Sequence, residues 1–303
     1  MIEGFRRSST RRSVLGIAIA ACVALAATAA TGALADPPPA LFAGGMHGIV
    51  FAHDAHGNPH RGSPQLIDHG GPVLTQGADV TPIFWGSSWA RYTGDKFGAI
   101  DSFYAGAGGT SYAGTNTEYV NASGTVSSAV TAHNHLVDTS AAPSGGPSTS
   151  AVLAIVDRNI SQPKANGYYP VYSDQGRGHL GYCAWHSSGV VKGVLVQFAF
   201  FFNLDGDAGC DPQDTSSGHT QGVAALGNVS GHELSETLTD PNGNAWYDTS
   251  GAENADKCAW KFSGKLVAFT NGTSWKIQGN WSNNAYNSGT GYLAGTGCID
   301  GAT

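Results

Sequence analysis

Residues 220–239, TQGVAALGNVSGHELSETLT, decide the fold that we expect for this chain. Val223, Leu226, Val229, Leu234 and Leu238 recur at three- to five-residue spacing, which broadly places them on one face of a helix. The sequence Asp-Pro-Asn-Gly at 240–243 comes next and is typical of a helix end. The stretch therefore predicts one long helix with an apolar face.

The same helix carries the motif His232-Glu233-Leu234-Ser235-Glu236, which is H-E-x-x-E. Positions i and i+4 share a helical face, so His232 and Glu236 can bind one ion together. Glu233 lies about 100° further round the helix, where it can reach a water on that ion. An isolated H-E-x-x-E is more often a solvated acidic face, so the interpretation depends on the residues beyond the helix.

Two acidic residues lie downstream of the helix, at sequence distances that are compatible with a metal site. Glu253 lies 17 residues beyond Glu236, and Asp256 comes three residues later. This arrangement is similar to that of thermolysin-like peptidases, in which a downstream glutamate is the third zinc ligand. By that similarity Glu253 would be the third ligand, and Asp256 would orient His232 from behind.

The charge of this ligand set leaves alternatives open. One His and two Glu would neutralise Zn²⁺ fully, which makes its bound water harder to deprotonate than in a His-His-Glu site. His186, His219 or Asp256 is therefore an alternative third ligand. Zn²⁺ is the expected ion, but Mn²⁺ or Ca²⁺ would suit more carboxylates, and the site can also be purely structural.

The rest of the chain predicts an α+β, zincin-like fold with a twisted sheet, an active-site helix and a disulfide-tied C-terminal β region. We expect this fold to occupy residues 76–303 as a single domain. Its expected elements are a strand at 80–85 (VTPIFW), a helix at 96–104, a strand at 151–156 (AVLAIV), a strand within 190–202 and short strands after Trp260.

The N-terminus predicts export. Residues 1–35 combine four arginines, an Ala-rich apolar run and the small-x-small site Ala33-Leu34-Ala35, which is typical of a cleaved signal peptide. Whether export uses the Sec or the twin-arginine route stays open. Residues 36–75, rich in Pro, Gly and His, predict an irregular arm. The protein is thus expected to be secreted, extracellular or periplasmic.

Charge excludes two classes of partner. The signal would remove four Arg and one Glu, which leaves 11 basic and 21 acidic residues and a net charge of −10. Nucleic acids and anionic membrane surfaces require basic patches, so we expect neither to be a partner. No later segment has the roughly 18 consecutive apolar residues that a membrane span needs.

Four cysteines remain after the signal, and they predict two disulfides. The pairs Cys183–Cys210 and Cys258–Cys298 each flank a segment that we expect to be rich in strands. A zinc site made of all four is the alternative, but the spacings contain no C-x-x-C.

Two further patterns carry weaker signals. Residues 203–214 place acidic and amide oxygens like a calcium loop, but Ala208 stands where the EF-hand turn requires glycine. We interpret this segment as an acidic turn joined to Cys210. The many aromatic residues after 245 can form a sugar-stacking platform, although packing in a glycine-rich β region is the commoner use.

Several motifs occur in one order along almost the whole mature chain, and together they resemble the Exordium or phosphate-induced protein 1 family in its bacterial branch. They are residues 80–86 (VTPIFWG), 181–186 (GYCAWH), 231–236 (GHELSE), 240–241 (DP), 244–247 (NAWY) and 253–258 (ENADKC). The resemblance implies secretion and, for plant members, a role in growth and the cell wall. It implies no settled enzymatic activity.

The sequence as a whole predicts an exported metal-dependent hydrolase, with peptide or protein as the expected substrate. His232, Glu236 and Glu253 would hold the ion, Glu233 would be the general base, and Tyr247 or His219 would stabilise the oxyanion. The alternative is a non-catalytic secreted protein that binds cell-wall material or carbohydrate.

Overall fold

The computed structural model describes residues 42–53 and 64–302. Within them lie the strands β1 (Phe42–Ala43), β2 (His47–Phe51), β3 (Ile67–Asp68), β4 (Ala78–Val80), β5 (Ile83–Trp85), β6 (Val120–Asn121), β7 (Gly124–Thr125), β8 (Val130–Ala132), β9 (Leu136–Asp138), β10 (Gly167–Gly176), β11 (Tyr182–Val191), β12 (Val194–Asn203), β13 (Trp246–Tyr247), β14 (Val267–Ala268), β15 (Ser274–Trp275), β16 (Asn280–Trp281) and β17 (Cys298–Ile299). The α-helices are α1 (Lys96–Ala107), α2 (Ser111–Gly114), α3 (Thr149–Asn159), α4 (Gln221–Thr239), α5 (Asn283–Asn287) and α6 (Tyr292–Gly295). Short 3₁₀ helices cover Ser87–Arg91, Thr115–Glu118, Ala208–Cys210 and Asp256–Cys258.

The main sheet is mixed. Its strand β10 pairs in parallel with β12 on one side and with β4 and β5 on the other. Strand β4 pairs in parallel with β8, and β5 pairs in parallel with β9. Strand β11 pairs antiparallel with β12, and β1 and β2 pair antiparallel with β11. The predicted α+β class is confirmed.

The longest strands are buried because they are covered on both faces. Strand β12, VLVQFAFFFN, is apolar almost throughout, as is typical of a strand with two packed faces. A tight turn at Lys192 and Gly193, both with positive φ, joins it to β11. The strand predicted within 190–202 is therefore present as β12, and residues 190–191 belong to the preceding strand.

The prediction of a strand at 151–156 is wrong, because these residues lie in helix α3. The Ser148 hydroxyl accepts a hydrogen bond from the backbone N–H of Ala151 at 3.2 Å and caps the helix. Val152, Leu153 and Val156 are buried with helical spacing. A run of six apolar residues fits a buried strand or a buried helix equally well. Here the N-terminal cap and the length of 11 residues are those of a helix.

Two other expectations concern the N-terminal half. The strand expected at 80–85 is divided into β4 and β5, because Pro82 has no N–H to donate to a sheet ladder. The helix expected at 96–104 is present as α1.

The arm expected to be irregular, residues 36–75, is regular in part. Strands β1 and β2 lie in it and pair with β11, and β3 pairs with β13. Val50, Ala52 and Val73 are buried in the core, which a free arm would not show. The correction has a long-range cause: β11 offers an unpaired edge that this segment completes.

Helix α4 lies at the centre of the molecule. It begins one residue later than the predicted 220–239, ends before Asp240 as predicted, and all its residues after Gln221 are buried. It contacts α1, β2, β11 and β12. Glycine allows this close packing: a Cβ on Gly227 would lie 2.4 Å from a Trp275 ring carbon, and a Cβ on Gly231 would lie 2.7 Å from Ile277.

Both predicted disulfides, Cys183–Cys210 and Cys258–Cys298, are confirmed. The second joins the segment after α4 to β17 in the C-terminal region, where β14 pairs with β15 and β16 pairs with β17. Trp275 and Trp281 of this region are buried in the core. Among the described helices, none combines the length and the apolar character required to cross a membrane. The predicted signal peptide lies outside the described residues.

Candidate metal centre

The C-terminal half of α4 forms one wall of a buried cluster of ionisable side chains. His232, Glu233 and Glu236 come from α4, and each is 0% exposed. His186 comes from β11, while Glu253 and Asp256 come from the segment after the helix and are 3% and 8% exposed. Three regions distant in sequence therefore supply one polar site inside the core. We refer to these six residues as the Glu236 cluster.

One side of Glu236 faces His232 and Asp256. The Oε1 atom of Glu236 lies 3.0 Å from Nε2 of His232, as expected for residues at i and i+4 on one face. The same oxygen accepts the backbone N–H of Asp256 at 2.9 Å, and Oδ1 of Asp256 lies 3.5 Å from Nε2 of His232. These three residues each offer one ligand atom, and the three atoms lie within 4.8 Å of one another, so the trio can hold an ion.

The other side of Glu236 faces His186. The Oε2 atom of Glu236 lies 3.9 Å from Nε2 of His186, and Oε2 of Glu253 lies 3.2 Å from the same nitrogen. His186, Glu233 and Glu236 form a second trio whose ligand atoms lie within 4.8 Å of one another. Glu236 therefore belongs to both trios.

Several polar atoms of the cluster have no hydrogen-bond partner among the residues that the structure describes. They are both carboxylate oxygens of Glu233, Oε2 of Glu236, Nδ1 of His186 and Nε2 of His232. Nε2 of His232 lies 3.0 Å from Oε1 of Glu236 but makes no hydrogen bond of good geometry with it. Leaving a buried polar group unpaired costs about 1–3 kcal/mol, and more if it is charged. Such a concentration of unpaired atoms indicates a site that is completed by a ligand.

Electrostatics indicates that this ligand is a cation. Burial, and after it the charges of Glu236 and Asp256, raise the pKa of Glu233. Burial and the Asp256 charge raise the pKa of Glu236 to about 7, although His232 opposes this shift. Burial and neighbouring carboxylates raise the pKa of Glu253 as well. A cation among these oxygens would stabilise their charged forms.

The histidines balance the carboxylates only in part. Burial, together with His47 and His232, lowers the pKa of His186 well below its usual value. Burial also lowers the pKa of His232, but Glu236 and Asp256 outweigh it and raise that pKa to about 9. Among the described residues, the ion pairs that Glu236, Glu253 and Asp256 make are with these two imidazoles.

The side-chain amide of Gln278 restricts how His232 can bind an ion. Its Oε1 accepts the N–H of Trp260, and its Nε2 donates to the carbonyl of Ala255, so the amide orientation is fixed by two backbone groups. Its Nε2 also lies 2.6 Å from Nδ1 of His232. With the amide in this orientation Nδ1 of His232 is the acceptor, so the neutral form of the ring carries its proton on Nε2. Ligation by Nε2 therefore requires the amide of Gln278 to turn.

Strand β2 covers the cluster on the remaining side. Gly48 has a positive φ of 50°, and a Cβ there would lie 1.9 Å from Oε2 of Glu236 and 2.5 Å from the His186 ring. Only glycine fits this close approach without a shift of its neighbours. The backbone of β2 thus lies directly against Glu236.

The structure brings together most, but not all, of the residues singled out from the sequence. His232, Glu233, Glu236, Glu253 and Asp256 meet in the cluster, and so does His186, one of the alternative ligands. Asp256 shares a trio with His232, whereas Glu253 contacts His186. The assignment of Glu253 as third ligand remains a prediction.

The two residues proposed for oxyanion stabilisation have other neighbours. The ring of His219 stacks on Trp275 at 3.9 Å, and the ring of Tyr247 stacks on His69 at 3.6 Å. His219 also precedes α4, whereas the cluster lies along its C-terminal half. Neither residue belongs to a trio.

Gly48 and Gln278 were not identified from the sequence. No local pattern marks either one, because a glycine before an apolar strand and a glutamine in a polar stretch are common.

Comparisons of the chain with models of protein families, with curated proteins and with solved structures find no match.

Proposed function

We propose that this protein is an exported, metal-dependent hydrolase with a zincin-like active-site helix that acts on peptide bonds. The observation that carries the proposal is the buried pair His232–Glu236, whose facing atoms lie 3.0 Å apart beside unpaired oxygens of Glu233. A solvated helix face would be exposed and would leave no buried atom unpaired.

The residues present fit a divalent ion. His232, Glu236 and Asp256 would hold it, and the imidazole-plus-carboxylate set suits Zn²⁺ or Mn²⁺. When bound, such an ion polarises a carbonyl and lowers the pKa of a water. Glu253, the ligand expected from the sequence, contacts Nε2 of His186 at 3.2 Å instead.

Glu233 would act as the general base. Its carboxylate is buried, unpaired and within the trio of His186 and Glu236, so its oxygens are free to accept the proton of an attacking water. Burial raises its pKa, and a cation in the cluster would stabilise its charged form, which is the form that acts as a base. The proposal gives no role in the reaction to Tyr247 or His219.

Export is supported by three separate features. The N-terminal sequence has the pattern of a signal peptide, and the two disulfides fit an oxidising compartment. The resemblance to the Exordium family, carried by motifs along the chain, implies secretion too.

Complete burial favours a second candidate function. His186, Glu233 and Glu236 are 0% exposed, and β2 lies against Glu236. A substrate must displace that strand before it reaches the cluster. The second candidate is therefore a non-catalytic secreted protein in which the ion is structural, and the resemblance to the Exordium family implies that such a protein acts at the cell wall.

Two substitutions separate these candidates. Glu233→Gln keeps the shape but removes the base, and His232→Ala removes a ligand. For a hydrolase, Glu233→Gln should retain a bound cation and lose casein hydrolysis by about 10²–10⁴-fold. His232→Ala should lose both hydrolysis and cation affinity.

The controls are Glu118→Gln and His133→Ala, which make the same chemical changes at residues outside the cluster. Metal content, melting temperature and casein hydrolysis are measured for all four variants. If Glu233→Gln hydrolyses casein like the parent, or if the parent has no chelator-sensitive activity, the hydrolase proposal fails.

A further inference from the structure

The two trios of the Glu236 cluster use opposite oxygens of one carboxylate. Oε1 of Glu236 faces His232, and Oε2 faces His186. Each histidine has its own second acidic neighbour, Asp256 for His232 and Glu253 for His186. The arrangement is that of two half-sites joined at Glu236.

The spacing of the atoms agrees with ligands arranged around ions. Four ligands at 2.0–2.1 Å from a tetrahedral ion lie about 3.3 Å from one another. The separations between facing atoms at His232 are 3.0 Å to Glu236 and 3.5 Å to Asp256, and Nε2 of His186 lies 3.9 Å from Oε2 of Glu236. The His232 half-site therefore has the dimensions of a coordination shell, and the ligand atoms of His186, Glu233 and Glu236 lie within 4.8 Å of one another.

We propose that the cluster binds two divalent cations bridged by the carboxylate of Glu236. His232 and Asp256 hold one ion, and His186 and Glu233 hold the other, so that Glu233 is a ligand when the second ion is bound and the free base when it is not. The proposal rests on the proposed metal centre and deepens it. Two bridged ions that lie about 3.5–4 Å from each other are typical of hydrolytic sites.

Charge balance supports two ions over one. Glu233, Glu236, Glu253 and Asp256 carry four negative charges when ionised, and all four are buried. Two divalent ions carry four positive charges and match all four carboxylates, whereas one ion matches two of them.

The unpaired atoms support the same conclusion. The oxygens of Glu233 belong to one trio and Nε2 of His232 to the other, while Glu236 retains an unpaired Oε2 on the His186 side. A single ion at His232 and Asp256 would leave the atoms of Glu233 without a partner. Each half-site offers one imidazole with carboxylates, a donor set that suits Zn²⁺ and Mn²⁺.

The test is the number of ions bound per chain. The full secreted protein is stripped with chelator, dialysed against Zn²⁺ or Mn²⁺ and analysed by elemental mass spectrometry. We expect two ions per chain. His186→Asn and Asp256→Asn each remove a ligand of one trio only, so each should reduce the count to one.

A second measurement needs no substitution. The protein saturated with Mn²⁺ should give the electron paramagnetic resonance spectrum of a spin-coupled pair instead of the six-line spectrum of an isolated ion. A saturated parent that binds one ion with a six-line spectrum overturns the two-ion proposal and leaves the proposed hydrolase intact. A parent that binds no ion overturns both proposals.

Discussion

The acidic turn at 203–214 and the Glu236 cluster both gather carboxylates next to a disulfide, yet they neutralise their charges differently. In the turn, Asp205 accepts from Lys96 at 2.5 Å, and Arg177 donates to Asp207 at 2.6 and 2.9 Å. Asp214 accepts hydrogen bonds from Ser216 and Ser217. These partners account for the acidic residues and favour the interpretation as an acidic turn over the calcium loop.

The Glu236 cluster has no comparable set of partners among the described residues. Its carboxylates are more deeply buried than those of the turn, and they face imidazoles and unpaired oxygens. Acidic residues with permanent cations beside them need no ligand, whereas buried acidic residues without them do. The difference between the two regions is therefore the argument for a metal centre at Glu236.

The largest expected effect comes from removing each region's disulfide. Cys258→Ser with Cys298→Ser opens a loop with a sequence separation of 40 and should destabilise the fold by about 4 kcal/mol in the chain-entropy model. This link also fixes the segment that carries Glu253 and Asp256, so cation affinity should fall as well. Urea unfolding and cation titration at a temperature where the variant is folded measure both effects.

The matched change in the other region is Cys183→Ser with Cys210→Ser, for a separation of 27. It should cost about 3–4 kcal/mol in the same model, but the folded variant should bind cation like the parent. Equal loss of affinity in both double variants would show that the disulfides do not distinguish the two regions.

A smaller effect is expected from chelation. A cation present at about 100 times its dissociation constant stabilises the folded state by about 2.7 kcal/mol, which chelator should remove. The melting temperature of the parent should therefore fall in chelator, while that of Glu236→Gln should not respond. Asp211→Asn, in the acidic turn, should keep the parent's full response. A chelator-induced shift that survives in Glu236→Gln would place the ion elsewhere.

The smallest effect is expected at the Lys96–Asp205 pair. Asp205 is 54% exposed at its side chain, so solvent screens the interaction, and Asp205→Asn should cost about 1 kcal/mol or less. Thermal unfolding with and without chelator measures the cost, and the chelator response should equal the parent's. A large loss of stability would show that Lys96, which is nearly buried, depends on this carboxylate.

Local sequence determined the helix, its end and the motif on it. Helix α4 follows from its apolar spacing, and the pair His232 and Glu236 follows from the i, i+4 geometry, because both depend only on residues close along the chain. The cysteine pairs were also predictable, since each pair flanks one segment.

Other features were decided only by tertiary structure. Residues 151–156 are as apolar as a buried strand, and the cap at Ser148 together with packing makes them helical. The pairing of β2 with β11 depends on an edge that lies more than 130 residues further along the chain, so the sequence of the arm does not reveal it.

The residues of the metal centre also fall into two groups. Those on α4 lie close together along the chain, and the sequence alone predicted them. The contacts of His186 with Glu236 and Glu253, the fit of Gly48 against Glu236 and the amide of Gln278 beside His232 all join distant segments. Periodicity reports which residues share a face of one element, but only the packing of several elements determines which faces meet.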